Sequence, residues 1–218
     1  MATQKEIDIA SLRQDYAQAA LHRNDVDSDP FNQFAIWFEA AHQGGILEPN
    51  ALILATVDGS GQPSTRTLLL KGVDDRGFTF FTNYASNKGR DLETNPKASA
   101  TFLWLPMERQ VHVLGTVEKV TAEESDAYFS VRPYMSQIGA VASQQSRPIS
   151  DRGELEEKFA ELREEYPEGA TIPRPASWGG YRLIPHTIEF WQGRRSRLHD
   201  RLVYAKTADG WKIDRLSP

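Results

Sequence analysis

Residues 51–73 read Ala51-Leu-Ile-Leu-Ala-Thr-Val-Asp-Gly-Ser-Gly-Gln-Pro-Ser-Thr-Arg-Thr-Leu-Leu-Leu-Lys-Gly-Val73. Two runs rich in Leu, Ile, Val and Thr flank a turn segment, Asp58 to Pro63, whose glycines supply the positive φ of a tight reversal. The pattern predicts antiparallel strands over Ala51–Asp58 and Ser64–Val73. Outward from this pair, Gly77–Asn83, Ala98–Leu105 and Arg109–Val120 continue a meander, with Val111, Val113 and Val117 on one face. Five strands with short links predict a sheet that curls on itself.

On the N-terminal side, Asp29-Pro30 is a helix-start signal, and Phe34, Trp37, Phe38 and Ala41 mark one face of a helix that ends at Gly44-Gly45. Residues 5–21 carry Leu12, Tyr16 and Ala20 at helical spacing. Residues 1–28 therefore read as an N-terminal helical segment, a candidate mobile one, and residues 29–218 as one domain. On the C-terminal side, Thr121-Ala-Glu-Glu124 is a capping box opening a helix to about Arg132. A second helix is expected near Pro133 and a third over Ser150–Tyr166. Strands follow at Trp178–Leu183, Thr187–Gln192, Arg201–Thr207 and Trp211–Leu216, the last two joined by an Asp209-Gly210 hairpin signal. The fold class expected is α+β, a mostly antiparallel β-barrel with peripheral helices.

Composition narrows the chemistry. With 39% hydrophobic and 25% charged residues over 218 positions, the chain has ordinary globular usage and can build a core. It has no cysteine, which removes disulfides, thiolate nucleophiles and thiolate metal sites. The five histidines (22, 42, 112, 186, 199) lack ligand spacing, so no metal is expected. No nucleophile elbow or phosphate-binding P-loop is present, and Gly59-Ser-Gly61 lies in a hairpin turn rather than between strand and helix. No stretch approaches the roughly 18 apolar residues of a membrane helix, and Met1 to Glu6 has no apolar leader. The expectation is a cytoplasmic protein. A net charge of −5 argues against nucleic-acid or membrane partners, yet residues 182–215 hold eight Arg/Lys against four Asp/Glu. That local reversal suits a small anion.

Four constellations could carry chemistry. In Ile188-Glu-Phe-Trp-Gln-Gly-Arg-Arg-Ser-Arg-Leu-His-Asp-Arg201, an extended backbone after Gly193 would put Arg195, Arg197, His199 and Arg201 on one face; the same charges could serve a solvated edge strand. Arg66 and Lys71 interrupt an apolar strand. Strict alternation sends them to opposite faces unless a bulge intervenes or Lys71 lies past the strand end. Phe81-Thr-Asn-Tyr-Ala-Ser-Asn-Lys88 joins a strand end to a helix start bearing Lys88, a phosphate seat, or Ser86 simply caps the helix. Tyr128, Arg132 and Ser136 meet at a helix–helix junction, where Arg132 holds an anion or caps the preceding helix. Gln110, Gln145-Ser146 and Trp191 can hydrogen-bond or stack on a planar ring.

These residues resemble a known family. Ile188-Glu-Phe-Trp-Gln, four residues, then Arg197-Leu-His-Asp-Arg201 is similar to the signature of the pyridoxine/pyridoxamine 5′-phosphate oxidases. The likeness continues through Arg66-x4-Lys71, Phe81-Thr-Asn-Tyr84, Glu108-Arg-Gln-Val111, Tyr128-Phe-x2-Arg-Pro133, Gln145-Ser146, Trp178-Gly-Gly-Tyr181 and Arg215-Leu-Ser-Pro218, across residues 28–218. The resemblance implies an FMN-binding split β-barrel, a homodimer with FMN at the interface. It implies oxidation of pyridoxine 5′-phosphate and pyridoxamine 5′-phosphate to pyridoxal 5′-phosphate, with O2 as acceptor and hydrogen peroxide as by-product. By motif, the strand Arg66, Thr67, Leu68, Leu69, Leu70 and Lys71, with Phe81, Thr82, Asn87 and Lys88, would line the FMN phosphate side. Gln110, Gln145, Ser146, Trp191 and Arg201 would surround the rest of the cofactor. Lys71, Tyr128, Arg132 and Ser136 would grip the substrate phosphate, Arg197 and His199 would lie over the substrate ring as the catalytic pair, and Arg13 and Tyr16 would close over the site. Asn87 stands where members often carry arginine, which leaves the phosphate one charge fewer. A phenazine-type flavoenzyme and a non-catalytic flavin or pyridoxal phosphate carrier are the alternatives.

Overall fold

The computed structural model describes residues 15–218. Helix α1 (Pro30–Gln43) begins where expected, the Asp29 carboxylate accepting from the Phe31 N–H at 2.7 Å. Strands β1 (Ala51–Val57) and β2 (Pro63–Leu69) pair antiparallel, with Leu54 opposite Arg66. There follow β3 (Gly72–Asp74), β4 (Gly77–Asn83), α2 (Asn87–Thr94), β5 (Lys97–Trp104) and β6 (Arg109–Lys119). Helices α3 (Ala122–Ser130), α4 (Tyr134–Ala142) and α5 (Arg152–Glu165) form one block before β7 (Trp178–Gln192), β8 (Asp200–Thr207) and β9 (Gly210–Arg215). No helix among the described residues is long and apolar enough to cross a membrane.

The nine strands of the described residues belong to one sheet, ordered β2-β1-β5-β6-β7-β4-β3, with β8 continuing past β4 along the same edge of β7 and β9 beyond it. The predicted strand Ser64–Val73 is broken at Leu70-Lys71. There the chain leaves β1, Leu70 N–H donating to the Asn50 carbonyl, and joins β4, Lys71 N–H donating to the Thr79 carbonyl, both at 2.8 Å. One short crossing therefore links the two ends of the sheet path and curls the sheet into a split barrel. Lys71 lies past the end of β2, so alternation along that strand does not set its direction.

The strands predicted at Trp178–Leu183 and Thr187–Gln192 are one continuous strand. Proline removes a ladder donor, but Pro185 sits opposite Gly115 beside the β6 irregularity at Leu114/Gly115, and residues 184–186 fall in the gap between the β4 and β8 pairings. The helix predicted for residues 5–21 is absent over its described portion. Residues 1–14, and with them Arg13, lie outside the described residues. Asp15 to Leu21 form a strap held by tertiary hydrogen bonds: the Glu108 carboxylate accepts from the Ala17 and Gln18 N–H groups, and Asp200 accepts from the Leu21 N–H.

The main core fills the barrel and the underside of α1, with Leu52, Leu54, Phe80, Phe102, Val111 and Phe190 essentially inaccessible. Phe34 on α1 packs edge-on against Phe78 and Phe102, with ring centroids at 5.0 and 4.9 Å. A second, smaller core of Phe129, Ile138, Leu162, Ile172 and Trp178 unites the helical block with the start of β7. Replacing a buried phenylalanine by alanine removes apolar area and leaves a cavity. Phe34→Ala is expected to cost about 3–5 kcal/mol, read as a lower urea midpoint at unchanged slope; a loss under about 1 kcal/mol would contradict this packing.

Candidate active site

The described residues gather the site candidates into two groups. The first begins at α2, which Ser86 caps by accepting from the Gly89 N–H at 3.3 Å. The same hydroxyl accepts from Lys88 Nζ at 3.2 Å, so Ser86 caps the helix and also contacts the lysine. Lys88 is only 6% exposed, and the other partners of its ammonium are Thr82 Oγ1 and Gln145 Oε1, each at 3.2 Å. All three are neutral oxygens. Burial, together with the nearby Arg66 guanidinium, brings the lysine pKa down to about 8. Arg66 donates to Thr56 Oγ1 and Ser64 Oγ, both at 2.6 Å, with Asp91 at 3.8 Å. A buried cation without a carboxylate in hydrogen-bond contact suits an anion. Asn87 is exposed and accepts from the Arg90 side chain.

Adjoining this seat is a cleft of about 480 Å³ lined by Leu68, Leu69, Lys71, Phe81, Thr82, Tyr128, Arg132, Ser136, Gln145 and Trp178, among others. The substrate-phosphate candidates thus converge although they come from the β2–β3 crossing, α3, the α3–α4 junction and α4. Phe81 stacks on Tyr128 with centroids 4.0 Å apart, an approach permitted by Gly180, whose absent Cβ would strike Phe81 and Val120. Arg132 does not cap α3 with its side chain. Its guanidinium lies over the Trp178 ring at 4.6 Å, and burial lowers its pKa. Thr67 and Leu70 diverge from this cleft: Thr67 is exposed on β2, and Leu70 packs into the main core. Ser146 adopts the left-handed conformation, φ 70°, beside Gln145.

The second group surrounds the far end of β7. The backbone after Gly193 is not extended, because Arg195–Arg197 form a 3₁₀ turn with positive φ at Ser196 and Arg197. The four-residue cationic face therefore does not form. Arg197 stays exposed, whereas Arg201 is held by Glu189 in a bidentate pair at 2.6 and 3.0 Å. His199 packs on Trp191, centroids at 4.7 Å, and Tyr16 from the strap meets both rings edge-on at 5.7 and 5.9 Å. The Arg194 N–H donates to His199 Nδ1 at 3.1 Å, so the neutral imidazole carries its proton on Nε2. Gln110 shares a small cleft of about 240 Å³ with Tyr16, Arg109 and Trp191. Sequence reading places Glu108 in a motif but does not reveal it as the strap's anchor, and nothing local announces its left-handed φ of 55°.

Comparison with known proteins decides the affiliation. Residues 38–166 match the family model described as pyridoxamine 5′-phosphate oxidase, and residues 178–218 match the pyridoxine 5′-phosphate oxidase C-terminal dimerisation region. The chain belongs to the pyridoxamine 5′-phosphate oxidase family. It is 53% identical to the pyridoxine/pyridoxamine 5′-phosphate oxidase of Rubrobacter xylanophilus over 211 residues, 97% of each chain. It is 56% identical to that of Ralstonia pickettii, over 96% of this chain and 99% of the relative. The crystal structure of PhzG from Burkholderia lata 383, in complex with tetrahydrophenazine-1-carboxylic acid, superposes with a TM-score of 0.85 at 34% identity, covering 91% of this chain and 98% of that one.

Within this family member, Lys88 has a definite electrostatic signature. An anion placed beside it would raise this pKa from about 8, so binding would take up a proton and weaken above that pH. Sulfate, whose own charge is constant, is expected to bind ligand-free protein about tenfold more weakly at pH 9 than at pH 7, measured by calorimetry. Lys88→Met should abolish that pH dependence; an unchanged dependence in the variant would remove Lys88 from the seat.

Proposed function

We propose that this chain is an FMN-dependent oxidase converting pyridoxine 5′-phosphate and pyridoxamine 5′-phosphate to pyridoxal 5′-phosphate with O2, as a homodimer whose two active sites each draw on both chains. The observation that carries the shared site is the position of the two groups on β7. Trp178 and Trp191 are thirteen residues apart on one strand, about 40 Å of extended backbone. None of the three clefts lined by these groups mixes their members. Two copies related by a two-fold axis can set the first group of one against the second group of the other, and the match to a dimerisation region supports that arrangement.

The donor set suits FMN. Arg66, Thr82, Ser86 and Lys88 would hold its phosphate, with Gln145 beside them and Gln110, Trp191 and Arg201 toward the ring from the second copy. Bound there, FMN would supply a two-electron acceptor for the hydride from substrate C4′ and a route for those electrons to O2, giving hydrogen peroxide. The protein's own work is placement. Lys71 and Arg132 supply two cations, and Tyr128 and Ser136 two hydroxyls, to a dianionic substrate phosphate. Arg197 and His199 from the second copy cover the substrate ring, with the His199 Nε2–H as a fixed donor. Tyr16, resting on Trp191 and His199, keeps water from that face.

The phenazine-type alternative has weaker support, at 34% identity against 53% and 56% for the named oxidases. Purified holoenzyme is expected to be yellow, to bleach anaerobically on adding pyridoxamine 5′-phosphate, and to release peroxide in air. Bleaching only with a reduced carbocyclic heterocycle would favour the alternative, and binding without peroxide would favour a carrier. Each charge-assisted hydrogen bond is worth roughly 1.5–3 kcal/mol, so Arg132→Ala is expected to raise KM about 10- to 150-fold. Arg197→Ala should chiefly lower kcat. Equal small effects of both on turnover would contradict this division.

A further inference from the structure

We infer that Trp178 is a positioning residue for substrate-phosphate recognition: its indole face holds the Arg132 guanidinium in place without neutralising it. The inference rests on the function proposed above. An arginine that must bind an anion faces a conflict. A carboxylate partner would fix it in place but would consume the charge and compete with the ligand. Without a partner, a half-buried guanidinium pays for desolvation and loses its orientation.

The structure answers this conflict with an aromatic face. The Arg132 guanidinium carbon lies 4.6 Å above the Trp178 ring and 5.6 Å from the Phe129 ring. Arg132 Nη1 is buried with no hydrogen-bond partner, so ring faces take the place of an acceptor. A cation over indole is attracted by the ring quadrupole and keeps its full charge for another partner. No carboxylate pairs with Arg132 among the described residues, in contrast to Arg201 with Glu189 and Arg182 with Glu124.

The indole itself is rigidly held. Trp178 is 6% exposed and opens β7 in register with Asn83. Its backbone is tied to the preceding loop by its own N–H, donating to the Pro175 carbonyl, and by Arg174, donating to its carbonyl at 2.6 Å. Its ring lies nearly parallel to Phe81 and Tyr128, with interplanar angles of 13° and 10°, while Phe129 meets it edge-on at 5.1 Å. Arg132 thus receives its orientation from β7, although it follows α3 in sequence. Nothing about a tryptophan before two glycines announces that role.

The test is a double-mutant cycle on the FMN-loaded enzyme. Dissociation constants for pyridoxal 5′-phosphate, read by absorbance, and KM and kcat for pyridoxamine 5′-phosphate are measured for wild type, Trp178→Phe, Trp178→Leu, Arg132→Ala and Arg132→Ala combined with each. Trp178→Leu is expected to weaken binding and raise KM about 5- to 30-fold with kcat within about twofold. Trp178→Phe, which keeps a smaller π face, should fall between leucine and wild type. In the Arg132→Ala background both Trp178 changes should have little further effect, because the cation they position is gone. Additive effects, as general loosening of the helical block would give, overturn the inference, as does a fall in kcat at unchanged KM. If Trp178→Leu does not fold, the Trp178→Phe cycle decides by the same criterion. Wild-type turnover separates the two claims: an active wild type with additive effects sinks only this inference, and an inactive wild type sinks both.

Discussion

Strand β7 is the constraint on which the rest of the molecule depends. Its fifteen residues pair with β6 along nearly their whole length on one edge, and with β4 and then β8 on the other. Because its ladder is shared among three neighbours, neither end can move without breaking barrel hydrogen bonds. Trp178 at one end is therefore fixed beside the cleft of Lys71 and Arg132, and Trp191 at the other beside His199. The mid-strand proline is tolerated because the sheet hands over from β4 to β8 at that point, leaving no donor required of it.

Beside this frame the first group holds two cations, Lys88 and Arg132, without a carboxylate in hydrogen-bond contact. Lys88 is buried among neutral oxygens, and Arg132 leans on ring faces. Both lose hydration without gaining a hydrogen-bonded carboxylate, and a phosphate group, as proposed, would restore what each has lost. Elsewhere the barrel treats its arginines differently. Arg182, 5% exposed, pairs with Glu124, the capping-box residue of α3, and so ties β7 to the helix that carries Tyr128. The Arg182 pair braces the scaffold, whereas Arg132, without a carboxylate partner, lines the cleft.

Much of this was legible in the sequence, where the relevant physics is local. The capping box at Thr121, the Asp29-Pro30 start, the glycine turn after Val57 and the alternation of β6 depend on neighbours within a few residues, and the elements formed there. What was not legible depends on distant partners. The strap from Asp15 to Leu21 has helical spacing, yet its N–H groups are satisfied by Glu108 and Asp200 instead of by its own carbonyls. The Arg194–Arg201 stretch reads as alternating charge, but its turn is set by positive φ at Ser196 and Arg197, residues without strong preference for that region. Several motif residues distant in sequence line one cleft, whereas the role proposed for Trp178 depends on an arginine 46 positions earlier in the chain.

The central claim is that each complete site needs two chains, and subunit mixing tests it most directly. Arg132→Ala disables the first group and Arg197→Ala the second, so each homodimer lacks half of both its sites. Unfolding and refolding the two variants together at equal concentration gives half heterodimers, each with one intact site, and activity at low substrate should recover to about a quarter of wild type. Activity no higher than the average of the two separate variants would place both groups in one chain and contradict the account.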